Sequence, residues 1–192
     1  MDGSDVFLVF VDGKPGHEEN YADWFGGEHM ADMRRLPGVA RAFAGKLSAL
    51  DGEPPPAQLC GYYETPDCGE LLSTIAASRG TPALPASDLQ GRMVWRVLET
   101  TALHGEWPEP QDFVQVLICM FTAAPDEFSI ADLPIVGARW TRIGAIQPAR
   151  GREHAAVLFL MLPEGIDPAA IAAMIAQWSG ASGARFLLAG PA

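Results

Sequence analysis

His29 is the side chain in this sequence best placed to move a proton. It lies in the run Tyr21-Ala22-Asp23-Trp24-Phe25-Gly26-Gly27-Glu28-His29-Met30, which continues through Ala31-Asp32-Met33-Arg34-Arg35 and stops at Leu36-Pro37-Gly38-Val39. An unperturbed imidazole titrates near pH 6.5, so it can take or give a proton close to neutrality. At α-helical spacing its neighbours are Phe25 on one side and Asp32 and Met33 on the other. Asp32 could orient the ring. A histidine hydrogen-bonded to a loop carbonyl, with no chemical role, is the competing reading.

Tyr21, Trp24 and Glu28 follow one another at spacings of three and four and share a helical stripe. Trp24 can wall a ligand pocket with rigid aromatic area, with Tyr21 beside it, or the stripe can simply be the face that packs on a sheet. Glu28 can assist acid–base work or stand in solvent as an ordinary helix carboxylate. The pair Gly26-Gly27 carries a cost, since two glycines inside a helix lose about 2 kcal/mol relative to two alanines. Either the helix is interrupted there, the plainer expectation, or something approaches its backbone closely.

Elsewhere the chemical signals are sparse. His17 and His104 fall in expected loops or element ends and His154 just before a strand, and no two show metal-ligand spacing on one helix. Trp95 and Arg96 alternate on one strand, so at most one of them faces inward. There is no G-x-G-x-x-G, P-loop or G-x-S-x-G sequence. Ser179-Gly180-Ala181-Ser182-Gly183 reads as a turn between helix and strand. Cys60, Cys68 and Cys119 are odd in number and lack C-x-x-C spacing, which points to neither a disulfide framework nor a zinc site. No metal is expected.

The elements that must carry these residues are legible from pattern. Val6 to Val11 is a continuous β-branched and aromatic run, the mark of a strand buried on both faces. The helical segment His17 to Arg35 follows and ends at Pro37-Gly38. Strands are expected at Val39–Leu50, Gln58–Glu64 and Met93–Thr101, with a helix at Asp67–Arg79 between the last two. The order βαββαβ is a ferredoxin-like unit. After a Pro- and Gly-rich stretch the order starts again: strands at Phe113–Phe121, Val136–Ile146, Ala155–Leu162 and Ala184–Ala189, a short helical piece at Asp126–Leu133, and a helix at Asp167–Trp178 opened by Asp167-Pro168. Leu133-Pro134-Ile135-Val136 is a weaker echo of the Leu36-Pro37-Gly38-Val39 stop, without the Trp and His before it.

The expectation is an α+β chain of two tandem ferredoxin-like units, residues 1–101 and a degenerate 112–192, joined by a linker at 102–111. Each unit has a four-stranded sheet with helices on one face, and the bare faces must be covered. Packing them face to face closes an α/β barrel within one chain and is expected to leave a central cleft. With Trp24 and His29 in the first unit only, one site per chain is expected, the second unit acting as scaffold and lid.

With 192 residues and 48% apolar content the chain can bury a sizeable core. Its net charge of −11 repels phosphate backbones and anionic bilayers, so neither nucleic acid nor a membrane is an expected partner. The acidic start Met1-Asp2-Gly3-Ser4-Asp5 lacks the basic region of a signal peptide, and a cytoplasmic protein is expected.

The helix with Trp24 and Glu28-His29, followed by Leu36-Pro37-Gly38-Val39 and a strand, resembles the dimeric α/β-barrel proteins, nearest their EthD-like branch. The resemblance rests on the spacing of a helix, its stop and a strand start; it covers the first half well, and the second half is matched only in element order. Two departures are the fused second unit, where relatives are usually single units that dimerise, and Ala31-Asp32 where many members carry a Pro soon after the His. The resemblance implies a monomer with an intrachain pseudo-dimer, or a homodimer. It implies a site built around His29, and it adds Arg41, close to the place where members carry an Arg on the strand after Pro-Gly. A cofactor-independent enzyme with His29 as acid/base, acting on a small apolar or aromatic molecule, is the first function it suggests. A non-catalytic, stress-associated ligand-binding module is the second, and a haem protein with His29 as axial ligand the third.

Overall fold

The structure, a computed structural model, describes residues 4–104, 115–122, 130, 132–142, 156–178 and 184–191. Its strands are β1 (Ser4–Gly13), β2 (Arg41–Ala49), β3 (Leu59–Thr65), β4 (Gln90–His104), β5 (Gln115–Phe121), β6 (Gly137–Arg142), β7 (Ala156–Leu162) and β8 (Arg185–Pro191). Helices α1 (Glu18–Trp24) and α2 (Met30–Arg35) flank a π-helical turn at Phe25–His29; α3 spans Cys68–Ser78 and α4 Pro168–Ile175.

Alternation along the strands explains the apolar runs. In β1, Val6, Leu8 and Phe10 point to one core, while Phe7, Val9 and Val11 point to another. The same split separates Cys60 and Tyr62 from Leu59 and Tyr63 in β3, and Val157, Phe159 and Met161 from Leu158, Leu160 and Leu162 in β7. Strands covered on both faces need apolar residues at every position, which is why the sequence shows runs rather than alternation.

The strands close into an antiparallel barrel in the order β1-β3-β2-β8-β5-β7-β6-β4. Read by halves, the sequence is β4-β1-β3-β2 followed by β8-β5-β7-β6, so corresponding strands occupy corresponding places. The expected α+β class with two ferredoxin-like sheets is the observed one. The sheets do more than face each other. Their edges pair, β2 with β8 from Gly45↔Pro191 to Ala49↔Leu187, and β4 with β6 from Thr101↔Trp140 to His104↔Ala138. Edge pairing satisfies backbone groups that two stacked open sheets would leave unmade.

That pairing also extends β4 beyond the expected strand end. Ala102–His104 continue the strand because β6 supplies the ladder, a partner invisible to local pattern. The remainder of the expected linker, 105–111, lies outside the described residues, as do His154, 179–183 and most of the helical piece expected at 126–133. Where the second half is described it repeats the layering, with α4 packing Ile171, Ala172 and Ile175 on the outer faces of β5 and β7.

Local signals hold the helix ends. Asp67 Oδ1 accepts from the amides of Gly69 (2.7 Å) and Glu70 (3.0 Å) to cap α3, and Asp167 Oδ1 accepts from Ala169 (2.9 Å) to cap α4 ahead of Pro168. The chain leaves α2 through Leu36, whose ψ of 138° is extended, and turns at Gly38, whose φ of 88° suits a residue without Cβ. One polar cluster fastens the halves together. Arg185 on β8 bridges Asp51 and Glu53 and donates to the Pro54 carbonyl at 3.0 Å, all three in the β2–β3 connection. Burial works against a charged Asp51, but the hydrogen bonds from Arg185 and from the Glu53 and Phe186 amides outweigh it and hold the carboxyl below its usual range.

Candidate functional site

The glycine pair does not interrupt the helix. Backbone torsions stay right-handed helical at Trp24, Phe25, His29 and Met30, and the cost of Gly26-Gly27 is absorbed by one π turn. At Gly27 nothing crowds the backbone, since a Cβ there would meet no atom within 4 Å. The widened turn changes the company His29 keeps. Phe25, the expected neighbour, stacks on the imidazole at 5.1 Å and 18°, and Trp24, five residues back, now joins it at 4.9 Å.

Asp32 is a correction. Its Oδ1 takes Arg35 Nη1 at 2.7 Å, so it acts on His29 through charge and not by orienting the ring. The orienting contact comes from Tyr63 on β3, whose hydroxyl lies 3.4 Å from His29 Nε2. Nδ1 is buried without a hydrogen-bond partner. A buried unpaired lone pair is better tolerated than a buried unpaired N–H. This favours the tautomer in which Nε2–H donates to the Tyr63 oxygen and the Tyr63 O–H is left to donate elsewhere.

Tyr63 is the residue that sequence reasoning missed. It is 1% exposed, and its ring lies back along β3 over Gly61, where a Cβ would stand 2.6 Å from its Oη and 2.9 Å from Cζ and Cε2. The signal was present as Gly61-Tyr62-Tyr63. A glycine two positions before an aromatic residue on a strand shares its face and leaves room for the ring to lie down.

These groups line a cleft, open to solvent, between the helical layer and the outer face of β1 and β3. Phe7 and Val9 form its floor with Tyr63; Tyr21, Trp24 and Phe25 form one wall; Ile75, Leu84 and Pro85 form the other. Arg79, Ser87 and Gln90 bring polar groups to its lining. This cleft is not the central one expected between the sheets: it lies on the outside of the first-half sheet. Among the described residues, Val, Leu, Ile, Met and aromatic side chains of both sheets pack together in the barrel interior.

Of the residues singled out from sequence, Tyr21, Trp24 and His29 meet at the cleft. Glu28 and Arg41 do not. Glu28 is exposed on the far side of the π turn. Arg41 pairs with Glu64 at 3.3 Å, and both occupy the face of their strands that Phe43 and Tyr62 turn toward the barrel interior. A register position near Pro-Gly placed Arg41 close to the site in sequence, but strand alternation sends it through the sheet.

Burial lowers the pKa of His29 to about 4; the nearby Arg79 charge acts in the same direction, and Asp32 opposes both. Burial likewise pushes Tyr21 up to about 12 and Tyr63 well above the usual tyrosine range. At neutral pH the site thus holds a neutral imidazole and neutral phenols. The linkage follows directly. An imidazole that binds its proton more weakly in the folded chain adds stability that is complete above about pH 6.5 and is lost as pH falls toward 4. Wild-type melting temperature should therefore drop more steeply over that window than the melting temperature of His29→Asn, by an amount equivalent to at most about 3 kcal/mol. Parallel curves for the two proteins would show that burial does not hold His29 neutral.

The site does not suit haem. Axial ligation needs an accessible ring nitrogen, yet Nδ1 is sealed in protein and Nε2 faces the Tyr63 hydroxyl. Neither nitrogen is therefore free to ligate an iron. Among the described residues no cluster of three His, Cys, Asp or Glu side chains is arranged to hold a metal ion. Cys60, Cys68 and Cys119 are buried free thiols, and burial pushes the first two up to about 12, far from reactive thiolates. No helix among the described residues is long and apolar enough to cross a membrane.

No family model matches the sequence, and no curated protein matches it. Solved structures do. A candidate monooxygenase from Fusobacterium nucleatum subsp. nucleatum superposes with a TM-score of 0.57 at 11% identity, over 98% of this chain and 93% of its own. A candidate chlorite dismutase reaches 0.59 at 8% identity, over 100% and 96%. A mutant chlorite dismutase from Candidatus Nitrospira defluvii reaches 0.53 at 10% identity, over 97% and 90%. At such identities the likeness speaks for architecture and not for activity. Over its described residues this chain shares with these solved structures a ferredoxin-like α+β barrel architecture.

Proposed function

We propose that this protein is a cofactor-independent enzyme that binds a small apolar or aromatic molecule in the cleft between the helical layer and β1/β3, with His29 and Tyr63 handling a proton. The observation that carries this is the juxtaposition of a neutral, aromatic-sandwiched His29 and a buried Tyr63 hydroxyl, 3.4 Å apart, on the wall of an otherwise apolar cleft. Such contacts are often long in the free protein and tighten when substrate fills the site. Neither ring nitrogen opens on the cleft, so His29 exchanges its proton through Tyr63: a substrate proton passes to the Tyr63 oxygen as the Tyr63 O–H passes to Nε2, in the tautomer that leaves Nε2 free, and the reverse transfer returns it. Negative charge developing on the substrate raises the basicity of the nearby imidazole and favours the transfer.

The repeated strand order supports a tandem duplication of one unit, the first reaching His104 and the second beginning near residue 112. The Trp24–His29 helix with its Leu-Pro-Gly stop supports a place nearest the EthD-like branch. Fused units that complete one barrel in a single chain support a monomeric pseudo-dimer. The apolar lining also suits a second reading, a ligand-binding module without turnover, because aromatic walls alone suffice for capture.

The test is a panel of lactones, quinones and polyketide-like phenols, followed by absorbance and by native mass spectrometry. Turnover of at least one member by the wild type, lost in Ala86→Trp at the cleft lining, is the expected result. Retained ligand with no turnover across the panel would establish the second reading instead.

A further inference from the structure

Arg79 stands apart from Arg34, Arg35, Arg41, Arg92 and Arg185 in what it meets. Arg35, Arg41, Arg92 and Arg185 each pair with a carboxylate, and Arg34 donates twice to the Ala42 carbonyl. Arg79 instead reaches the neutral amide of Gln90, Nη2 to Oε1 at 3.3 Å, and pairs with no carboxylate among the described residues. Both side chains line the cleft. In a chain of net charge −11, a guanidinium left without a counter-charge beside an apolar cleft is a local reversal of the overall field.

Its position is held by the backbone. Arg79 ends α3 with its amide bonded to the Ile75 carbonyl at 2.9 Å, and a bridge to Leu84, with Gly80 donating to the Leu84 carbonyl at 2.9 Å, returns the chain along the cleft. A guanidinium has five N–H donors in a planar fork suited to two oxygens of one anion. The single bond to Gln90 leaves most of that fork available.

We propose that the cleft selects small aromatic molecules bearing one anionic oxygen group, a carboxylate or a phenolate. The ring lies against Trp24, Phe25 and Ile75, and the anion lies on Arg79 with Gln90 beside it. The inference rests on the cleft being the ligand site, as proposed above, and not on any catalytic role of His29. The cleft is open to solvent and its lining is mostly apolar and aromatic, which suits a flat ring entering from the mouth.

The probes are 2-naphthoate and its neutral counterpart 2-naphthamide, titrated calorimetrically into the full chain at low ionic strength. Naphthoate should bind at least about fivefold tighter than the amide, because the exposed guanidinium adds a charge-assisted bond only for the acid. Arg79→Met should weaken naphthoate about tenfold and leave the amide within about twofold, with Arg79→Lys intermediate. Raising salt should erode the preference, as it does for a partly exposed ion pair. Ala86→Trp should weaken both probes. Equal binding of acid and amide, or a preference that survives Arg79→Met, overturns the inference and leaves the cleft intact. Failure of both probes to bind, or indifference of both to Ala86→Trp, overturns the cleft as the ligand site and the inference with it.

Discussion

His29→Asn should lower turnover of a panel substrate by roughly 10²- to 10⁴-fold, the range over which positioned acid–base groups contribute. The melting temperature at pH 7 should move by no more than a few degrees. Asparagine keeps a polar side chain beside Tyr63 but cannot accept and return a proton. The imidazole is half-buried against Trp24 and Phe25, so its loss removes ring contacts from the edge of the cleft and not from the barrel core. Tyr63→Phe separates the two roles. It preserves the ring in place, removes the hydroxyl that meets Nε2, and should reduce kcat more than it raises KM if the hydroxyl works mainly in passing the proton. Full activity in His29→Asn would remove His29 from the chemistry.

Gly61→Ala carries the second large effect, through a residue that touches no ligand. The added methyl would sit 2.6 Å from Tyr63 Oη and 2.9 Å from two ring carbons, closer than real Cβ contacts allow. Tyr63 is fully buried and stacks on Phe7 at 5.7 Å, so its ring cannot swing away without displacing its neighbours. Overpacking of this kind costs about 1–3 kcal/mol. The melting temperature should fall by about 2–12 °C for a chain of this size. Activity should fall further than the stability loss explains, because the hydroxyl no longer reaches His29. The distinguishing measurement is activity at a temperature where both proteins are folded. A folded Gly61→Ala with wild-type kcat would show that the ring's tilt over Gly61 does not position the site.

How far such effects could be foreseen depends on which forces act locally. The Val6–Val11 run could only belong to a strand covered on both faces, and both faces are covered, by Leu8 and Phe10 inside and by Phe7 and Val9 outside. Asp167-Pro168 and Asp67 announced helix starts because capping is a contact between residues two or three apart. Leu36-Pro37-Gly38 announced a stop for the same reason. The Trp and His of the first helix were visible as a pair worth weighing, and Tyr21, Trp24 and His29 do meet.

Other parts of the site depended on distant contacts. Tyr63 lies 34 residues from His29 in sequence, and nothing local to either predicts the hydroxyl at Nε2. Arg79 sits at the end of a different helix and reaches the cleft because the chain turns back at Leu84. Arg41 was close to the site in sequence and is on the wrong side of the sheet, since one step along a strand reverses the face. Gly26-Gly27 showed that the helix must do something unusual there, but whether it broke or widened depended on packing. The continuous helix keeps Met30 and Met33 buried beneath it, and a break would have given up that burial.

The sequence by itself determined the ferredoxin-like order of elements, the helix ends, the aromatic and histidine content of the first helix, and the absence of phosphate- or metal-binding motifs. These follow from periodicity, capping and side-chain chemistry, which act over a few residues. Only the tertiary structure decided that the sheets join at their edges, that the cleft lies outside the barrel, and that Tyr63, not Asp32, faces the imidazole. Each of those depends on which of two sheet faces a side chain meets and on what fills the space beyond it. Packing settles that across tens of residues, because a close-packed interior leaves room for a ligand only where helix and strand side chains fail to fill it.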